Sequence, residues 1–149
     1  MSLEKQVMEQ MKVAMKSKNT VALTALRSLK SAFLLAKTEA GASEELSEEQ
    51  ELKIVQKQVK QRKDSAALFL EQKRQDLAEP ELAEVAVLEQ FLPEALGEDE
   101  IEKVVKETIT EEGALGMKDM GKVMGIVSKK LAGQAEGKVI SKIVKKNLI

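Results

Sequence analysis

The chain has 149 residues and a formal net charge of -1, and it contains no histidine, cysteine, tryptophan or tyrosine. Without cysteine there is no disulfide, thiolate metal site or thiol nucleophile, and without histidine the commonest acid–base catalyst is missing. Only Phe33, Phe69 and Phe91 are aromatic, so any core must be built from aliphatic side chains.

Two prolines and an abundance of Ala, Leu, Glu, Lys and Gln favour helix over strand. Apolar spacing predicts seven helices. The first runs from about Leu3 to Lys16, with Leu3, Val7, Met8, Met11 and Met15 on one face. Ser17, Lys18 and Asn19 form a turn, and Thr20 is the expected N-cap of the second helix, which carries Leu26, Leu29, Phe33 and Ala36 inward. Gly41 falls in the following break, and Glu44, Glu45, Glu48, Glu49 and Glu51 make an acidic loop and first turn. Ser47 with Gln50 fits a capping box, and acids at a helix start suit its dipole.

The third helix is predicted from Ser47 to Leu77, roughly 45 Å at 1.5 Å per residue. Its stripe is Leu52, Val55, Val59, Ala66 and Leu70. Pro80 is expected to stop it and to occupy the first turn of a fourth helix with Leu82, Val85, Leu88 and Leu92 inward. Residues 93–97 read as a linker between two modules, 1–92 and 98–149. Three short helices follow: about Asp99 to Glu112, closed by Gly113; about Lys118 to Leu131, closed by Gly133; and about Glu136 to Leu148. The expected fold class is all-α, an N-terminal helical bundle followed by a small three-helix tail.

No run of about 20 apolar residues occurs, so no membrane-spanning helix is predicted. The start also lacks the apolar centre of a secretory signal. The expectation is a cytoplasmic protein without membrane contact.

The tail carries the strongest signal. From Gly113 to the end there are eight lysines (118, 122, 129, 130, 138, 142, 145 and 146) against two acids, Asp119 and Glu136. At 100° per residue Lys138, Lys142 and Lys145 share a stripe opposite Ile140 and Val144, and Lys122 aligns with Lys129 opposite Met120, Val127 and Leu131. Such rows are either an electrostatic footprint for phosphates or a solvated face that keeps a small module soluble. Gly121 and Gly125 lie four apart beside the apolar stripe. They admit either a packed neighbouring helix or a ligand backbone, with Lys122 alongside. A helix start near Lys118 also offers free N–H groups to an anion. This glycine–lysine pair is not a phosphate-binding loop, which needs a preceding strand and a Ser or Thr after the lysine.

In the third helix Arg62, Lys63 and Arg74 flank the apolar stripe. Ion pairs to the fourth helix, at Glu81 or Glu84, are the simplest use of them, with polyanion contact as the other. Lys53, Lys57 and Lys60 lie on the solvent face. For catalysis, Ser65 and Ser128 would have only a lysine nearby as base. No acid pair stands out from the many surface acids, and no spacing marks a carboxylate metal site. No catalytic residue, metal or cofactor is expected.

Gln61, Arg62, Lys63, Asp64 and Ser65, then Arg74, Asp76 and Leu77, then Leu92 and Pro93, then Asp119 to Gly125, then Gly137 and Lys138, together resemble the GatB/YqeY family. The similarity covers nearly the whole chain in the family's order and is closest to its stand-alone YqeY-like members. Phe91 stands where a tyrosine is common, and Glu136 where an aspartate is common. The resemblance implies an all-helical protein whose tail is similar to that of the B subunit of glutamine-dependent tRNA amidotransferase, where the tail helps to hold tRNA. It also implies classification among carbon–nitrogen ligases with glutamine as amido-N-donor, although the glutaminase and the ATP-dependent activation domain are not in this sequence.

The expected function is therefore a non-catalytic, tRNA- or RNA-associated helical adaptor in translation. Its expected contacts are Lys122, Lys129, Lys138, Lys142, Lys145, Gly121 and Gly125. Binding would be led by backbone and shape, because the tail has no aromatic ring for base stacking. The alternative is a protein-interaction module that docks on an aminoacylation or amidation assembly. In that case the lysines only solubilise.

Overall fold

The computed structural model of the chain describes residues 2–39 and 45–149. Among these it has seven α-helices and no strand: α1 (Leu3–Lys16), α2 (Thr20–Glu39), α3 (Glu48–Glu71), α4 (Gln75–Glu89), α5 (Glu98–Glu112), α6 (Met120–Lys130) and α7 (Gly137–Leu148). A single 3-10 turn, Met117–Asp119, precedes α6. Gly41 and Glu44 lie outside the described residues. The chain divides into two compact units, Met1–Leu92 and Pro93–Ile149.

The first unit holds α1 to α4. Its core is Val7 and Ala14 of α1, Ala25, Leu26, Leu29 and Phe33 of α2, Val55 and Val59 of α3, and Val85, Leu88 and Phe91 from α4 and its exit. Burial of each large aliphatic or aromatic side chain contributes about 1.5–3 kcal/mol. Met8, Met15, Leu70 and Leu82, expected inward, are exposed. Val7 and Ala14 are seven apart and set the inward line of α1, which leaves Met8 and Met15 one step around the helix. In α3 the buried line ends at Ala66, one turn before Leu70.

In the first unit, helix boundaries depart from the sequence expectation at the start of α2 and around the end of α3. Asn19, not Thr20, caps α2: its Oδ1 accepts from the Ala22 N–H at 3.1 Å. More substantially, α3 ends at Glu71, so it is about 36 Å long rather than 45 Å. There Lys73 adopts the left-handed conformation (φ 59°) and the Arg74 N–H donates back to the Phe69 carbonyl at 2.7 Å. That six-to-one bond is the usual closure of a helix end, which glycine normally makes. Lys18 (φ 57°) closes α1 the same way, with the Asn19 N–H on the Ala14 carbonyl at 2.9 Å. Pro80 therefore stops nothing. It sits inside α4, where the missing N–H leaves the Asp76 carbonyl without its helical donor.

The capping box of α3 is formed: the Gln50 N–H donates to Ser47 Oγ at 3.2 Å, and the Ser47 N–H to Gln50 Oε1 at 2.9 Å. Arg62 bridges three helices. Its Nη1 donates to Gln58 Oε1 at 2.7 Å, its Nε to Glu84 Oε1 at 3.3 Å, and Gln58 Oε1 also accepts from Ser28 Oγ at 3.1 Å. Arg62 is thus occupied in holding α2, α3 and α4 together, as the ion-pair reading expected with Glu84. Arg74 instead pairs with Asp76 two residues on, at 3.0 Å. Its guanidinium holds the Asp76 carboxyl below the usual carboxylate range.

One buried acid has no counterpart in the sequence reading. Glu51 of α3 is 4% exposed and its Oε2 accepts from the backbone N–H of Glu4 at 2.9 Å. Ser2 Oγ accepts from the Lys5 N–H at 3.3 Å. The first turn of α1 thus receives one local cap and one supplied from another helix, and the negative charge lies at the positive end of the α1 dipole.

In the second unit, α5, α6 and α7 pack around Ile101, Val105, Val123, Val127, Leu131, Ile140, Ile143, Val144 and Leu148. Gly113 (φ 64°) closes α5, with the Ala114 N–H on the Ile109 carbonyl at 3.1 Å. Residues 93–97, read as a linker, are fastened to this unit. Leu96 packs on its core and donates its N–H to the Gln134 carbonyl at 3.0 Å, and Gln134 Nε2 reaches the Glu94 carbonyl at 3.3 Å.

Two stability changes are expected. Glu51→Ala should cost about 1–2 kcal/mol, because the Glu4 N–H loses its acceptor and the site loses its charge. A lowered urea midpoint by far-UV circular dichroism checks this, and an unchanged midpoint would show that Ser2 alone suffices. Lys73→Gly should stabilise the chain by about 1 kcal/mol and raise the urea midpoint, since glycine adopts positive φ without the side-chain penalty.

Candidate nucleic-acid interface

The second unit is divided by charge. Residues 93–112 carry eight acids and two lysines, and residues 113–149 carry eight lysines and two acids, so the unit as a whole sums to zero. Three ion pairs join the halves: Lys122 to Glu112 at 3.2 Å, Lys130 to Glu111 at 3.3 Å, and Lys146 to Glu102 at 3.6 Å. Lys130 Nζ also donates to Oγ1 of the buried Thr108 at 3.2 Å. Part of the lysine excess is therefore spent on the acidic helix beside it.

Of the five lysines singled out from sequence, Lys122 is one of those paired. Lys129, Lys138, Lys142 and Lys145 are exposed and make no ion pair or side-chain hydrogen bond. Lys118, not singled out for phosphate contact, is equally exposed and free. On α7 the three lysines stand away from buried Ile140, Ile143, Val144 and Leu148, as the helical period requires. They do not share one surroundings, however. Lys138 and Lys142 border a cleft whose other side is Glu98, Asp99 and Glu102 of α5, and Lys145 lies off it.

The glycine edge of α6 differs from its simplest sequence reading. Gly121 and Gly125 are exposed, and a Cβ built at either would meet nothing within 4 Å. The edge is open surface, not a packed helix contact. Both glycines lie within α6, where glycine costs about 1 kcal/mol relative to alanine. Within α6, Lys122 and Lys129 are seven apart and share a flank at the helical period. The expected helix start near Lys118 is instead the 3-10 turn, and α6 proper begins at Met120. The Asp119 carboxylate there accepts from the Leu115 N–H at 3.0 Å, which puts an acid beside the helix start.

Just before this turn, Leu115 is 85% and Met117 45% exposed. No group of three or more acids that could hold a metal is found among the described residues. No described helix is long and apolar enough to cross a membrane.

With this geometry in hand, comparison with known proteins identifies the family. The family model described as "Yqey-like protein" matches residues 4–148. The chain belongs to that family. It is 34% identical over 129 residues to "Altered inheritance of mitochondria protein 41, mitochondrial" of Pyrenophora tritici-repentis, which covers 84% of this chain and 68% of that protein. It is 40% identical over 98 residues to the protein of the same name from Clavispora lusitaniae, covering 63% of this chain and 55% of that protein. Both relatives are named as mitochondrial proteins, and this overturns the expectation of a cytoplasmic protein. That expectation rested on the lack of an apolar signal, but organelle targeting uses basic amphipathic segments rather than apolar ones.

Because the glycine edge is open, Gly121→Ala and Gly125→Ala should each stabilise the chain by about 0.5–1 kcal/mol. Urea unfolding checks this, and a loss of stability in either variant would show that the edge is packed after all.

Proposed function

We propose that this YqeY-family chain is a non-catalytic RNA-associated helical adaptor whose partner is tRNA or another structured RNA. The observation that carries the reading is the set Lys129, Lys138, Lys142 and Lys145, exposed and free of ion pairs in a unit that pairs its other tail lysines except Lys118. Residues 98–149 are the binding module in this reading, and residues 1–92 are a helical scaffold. The resemblance of the tail to that of the amidotransferase B subunit supports the same choice of partner. No reaction is assigned to the chain.

Recognition in this reading is electrostatic and led by the backbone. The unit has no net charge, so its long-range field is that of a dipole rather than a cation. Phosphates are met by one face while α5 repels them from the other. Gly121 and Gly125 let a sugar–phosphate strand lie close to α6, with Lys129 at its side. Four phosphate contacts imply a slope of about -3 for log affinity against log salt.

The test is fluorescence anisotropy of labelled bulk tRNA with the full chain at low and near-physiological salt. Saturable binding with that slope is expected. Lys138→Gln, Lys142→Gln and Lys145→Gln together should weaken it by roughly tenfold or more while helical circular dichroism is unchanged. Glutamine is preferred to glutamate because new acids at 138 and 142 would face Glu98 and Asp99. Gly125→Leu should weaken RNA binding without unfolding, since the side chain enters open space. Undiminished affinity in the triple variant would overturn the reading.

A second reading, a protein-docking module, is favoured by the exposed Leu115 and Met117. It gains ground if tRNA does not bind at either salt and a protein partner is retained in a salt-insensitive pull-down.

A further inference from the structure

The cleft between α5 and α7 has a volume of about 440 Å³ and lies wholly within the second unit. One wall is acidic, with Glu98, Asp99 and Glu102 in the first turns of α5. The facing wall is basic, with Lys138, Lys142 and Lys146 spaced four apart along α7. Between them Val139 and Ile143 provide an apolar floor. Small-molecule sites commonly combine about this volume with an apolar floor and a few polar groups.

The pairing within the cleft is uneven. Glu102 and Lys146 meet across it at 3.6 Å, and Glu102 also accepts from Asn147 Nδ2 at 3.4 Å. Glu98, Asp99, Lys138 and Lys142 make no ion pair or side-chain hydrogen bond, although they are of opposite sign and line one cleft. Two acids and two lysines are thus held apart on facing walls, each with its full hydrogen-bonding capacity unused.

That arrangement selects by charge. A simple anion drawn to Lys138 and Lys142 meets Glu98 and Asp99, and a simple amine drawn to the acids meets the lysines. A molecule with an ammonium and a carboxylate a few bonds apart satisfies both walls at once, and a short aliphatic body covers Val139 and Ile143. We propose that the α5–α7 cleft is a binding site for a small zwitterion of the α-amino-acid type, its ammonium toward Glu98 and Asp99 and its carboxylate toward Lys138 and Lys142. This inference does not depend on the RNA reading, although the two share Lys138 and Lys142.

The test is a titration of the 15N-labelled full chain, followed by amide chemical shifts, with L-leucine and its two halves. The halves are 3-methylbutylamine, which lacks the carboxylate, and 4-methylpentanoate, which lacks the ammonium. Leucine is expected to move the amides of Asp99, Lys138, Val139 and Ile143 saturably, with a Kd of about 1 mM or tighter. Each half should bind at least about tenfold more weakly, a difference of about 1.4 kcal/mol. Asp99→Asn and Lys138→Gln, with spectra that remain dispersed, should each weaken leucine roughly two- to fivefold.

Absence of saturable shifts with leucine, equal binding of either half, or leucine affinity unchanged in both variants would each overturn the proposal. Anisotropy with tRNA on Asp99→Asn keeps the two readings separate. Loss of the acid should leave RNA affinity undiminished while leucine binding falls, so either reading can fail without the other.

Discussion

The charge division of the second unit governs what the rest of that unit can do. Helix α5 is acidic along its length, and the segment after Gly113 is basic. Placing them against one core converts a local excess of lysine into an internal dipole. Each exposed ion pair across the divide contributes little to stability, about 0–1 kcal/mol. Its larger effect is to fix which lysines remain available. Lys122, Lys130 and Lys146 are turned toward α5, while Lys118, Lys129, Lys138, Lys142 and Lys145 are left to solvent or to a partner. Availability, not number, then decides the character of the surface.

The first unit solves a different problem. With few aromatics it depends on many small aliphatic contacts, and helix orientation is set by polar groups placed between them. Arg62, Gln58, Ser28 and Glu84 connect three helices through a half-buried network. Glu51 reaches from α3 to the first turn of α1. Such groups add direction to a core whose apolar contacts have little of their own. The cations of α3 are largely engaged this way: Arg62 with Glu84, Lys63 with Glu89 at 3.0 Å, and Lys53 with Glu49 at 3.2 Å. Little of the positive charge on that helix is left for a polyanion.

Helix existence was legible from apolar period alone, because Leu26, Leu29 and Phe33, or Ile140, Ile143 and Val144, repeat at helical spacing and turn out buried. Boundaries were legible where a residue type announces them. Gly113 closes α5 by positive φ, and Ser47 with Gln50 opens α3. They were not legible where an ordinary residue takes the special conformation. Lys73 carries no signature of a left-handed turn, whereas Pro80, the nearest familiar breaker, lies inside α4. In the sequence Glu51 is one acid of an acidic stretch, and its burial depends on the placement of α1. The candidate site was half legible. The helical period put the α7 lysines outside, but it held no information on which acids would face them. Two glycines four apart read most simply as a packed helix edge, and only the neighbours show that this edge is open.

A neutral unit cannot rely on long-range attraction, because a ligand at a Debye length, about 8–10 Å at moderate salt, feels nearly balanced fields. Selectivity must come from close range, where individual lysines and acids are resolved. At that range Lys145 and Lys129 present charge without an acidic wall of the α5 cleft beside them, whereas Lys138 and Lys142 present it opposite Glu98 and Asp99. In the proposed RNA reading, a phosphate meets Lys145 with no acid of the cleft beside it, and its contacts with Lys138 and Lys142 are weakened by the facing acids. On the two proposed readings the acidic helix does more than neutralise the tail: it leaves Lys145 open to anions and sets acids opposite Lys138 and Lys142, where a ligand carrying both signs is better matched.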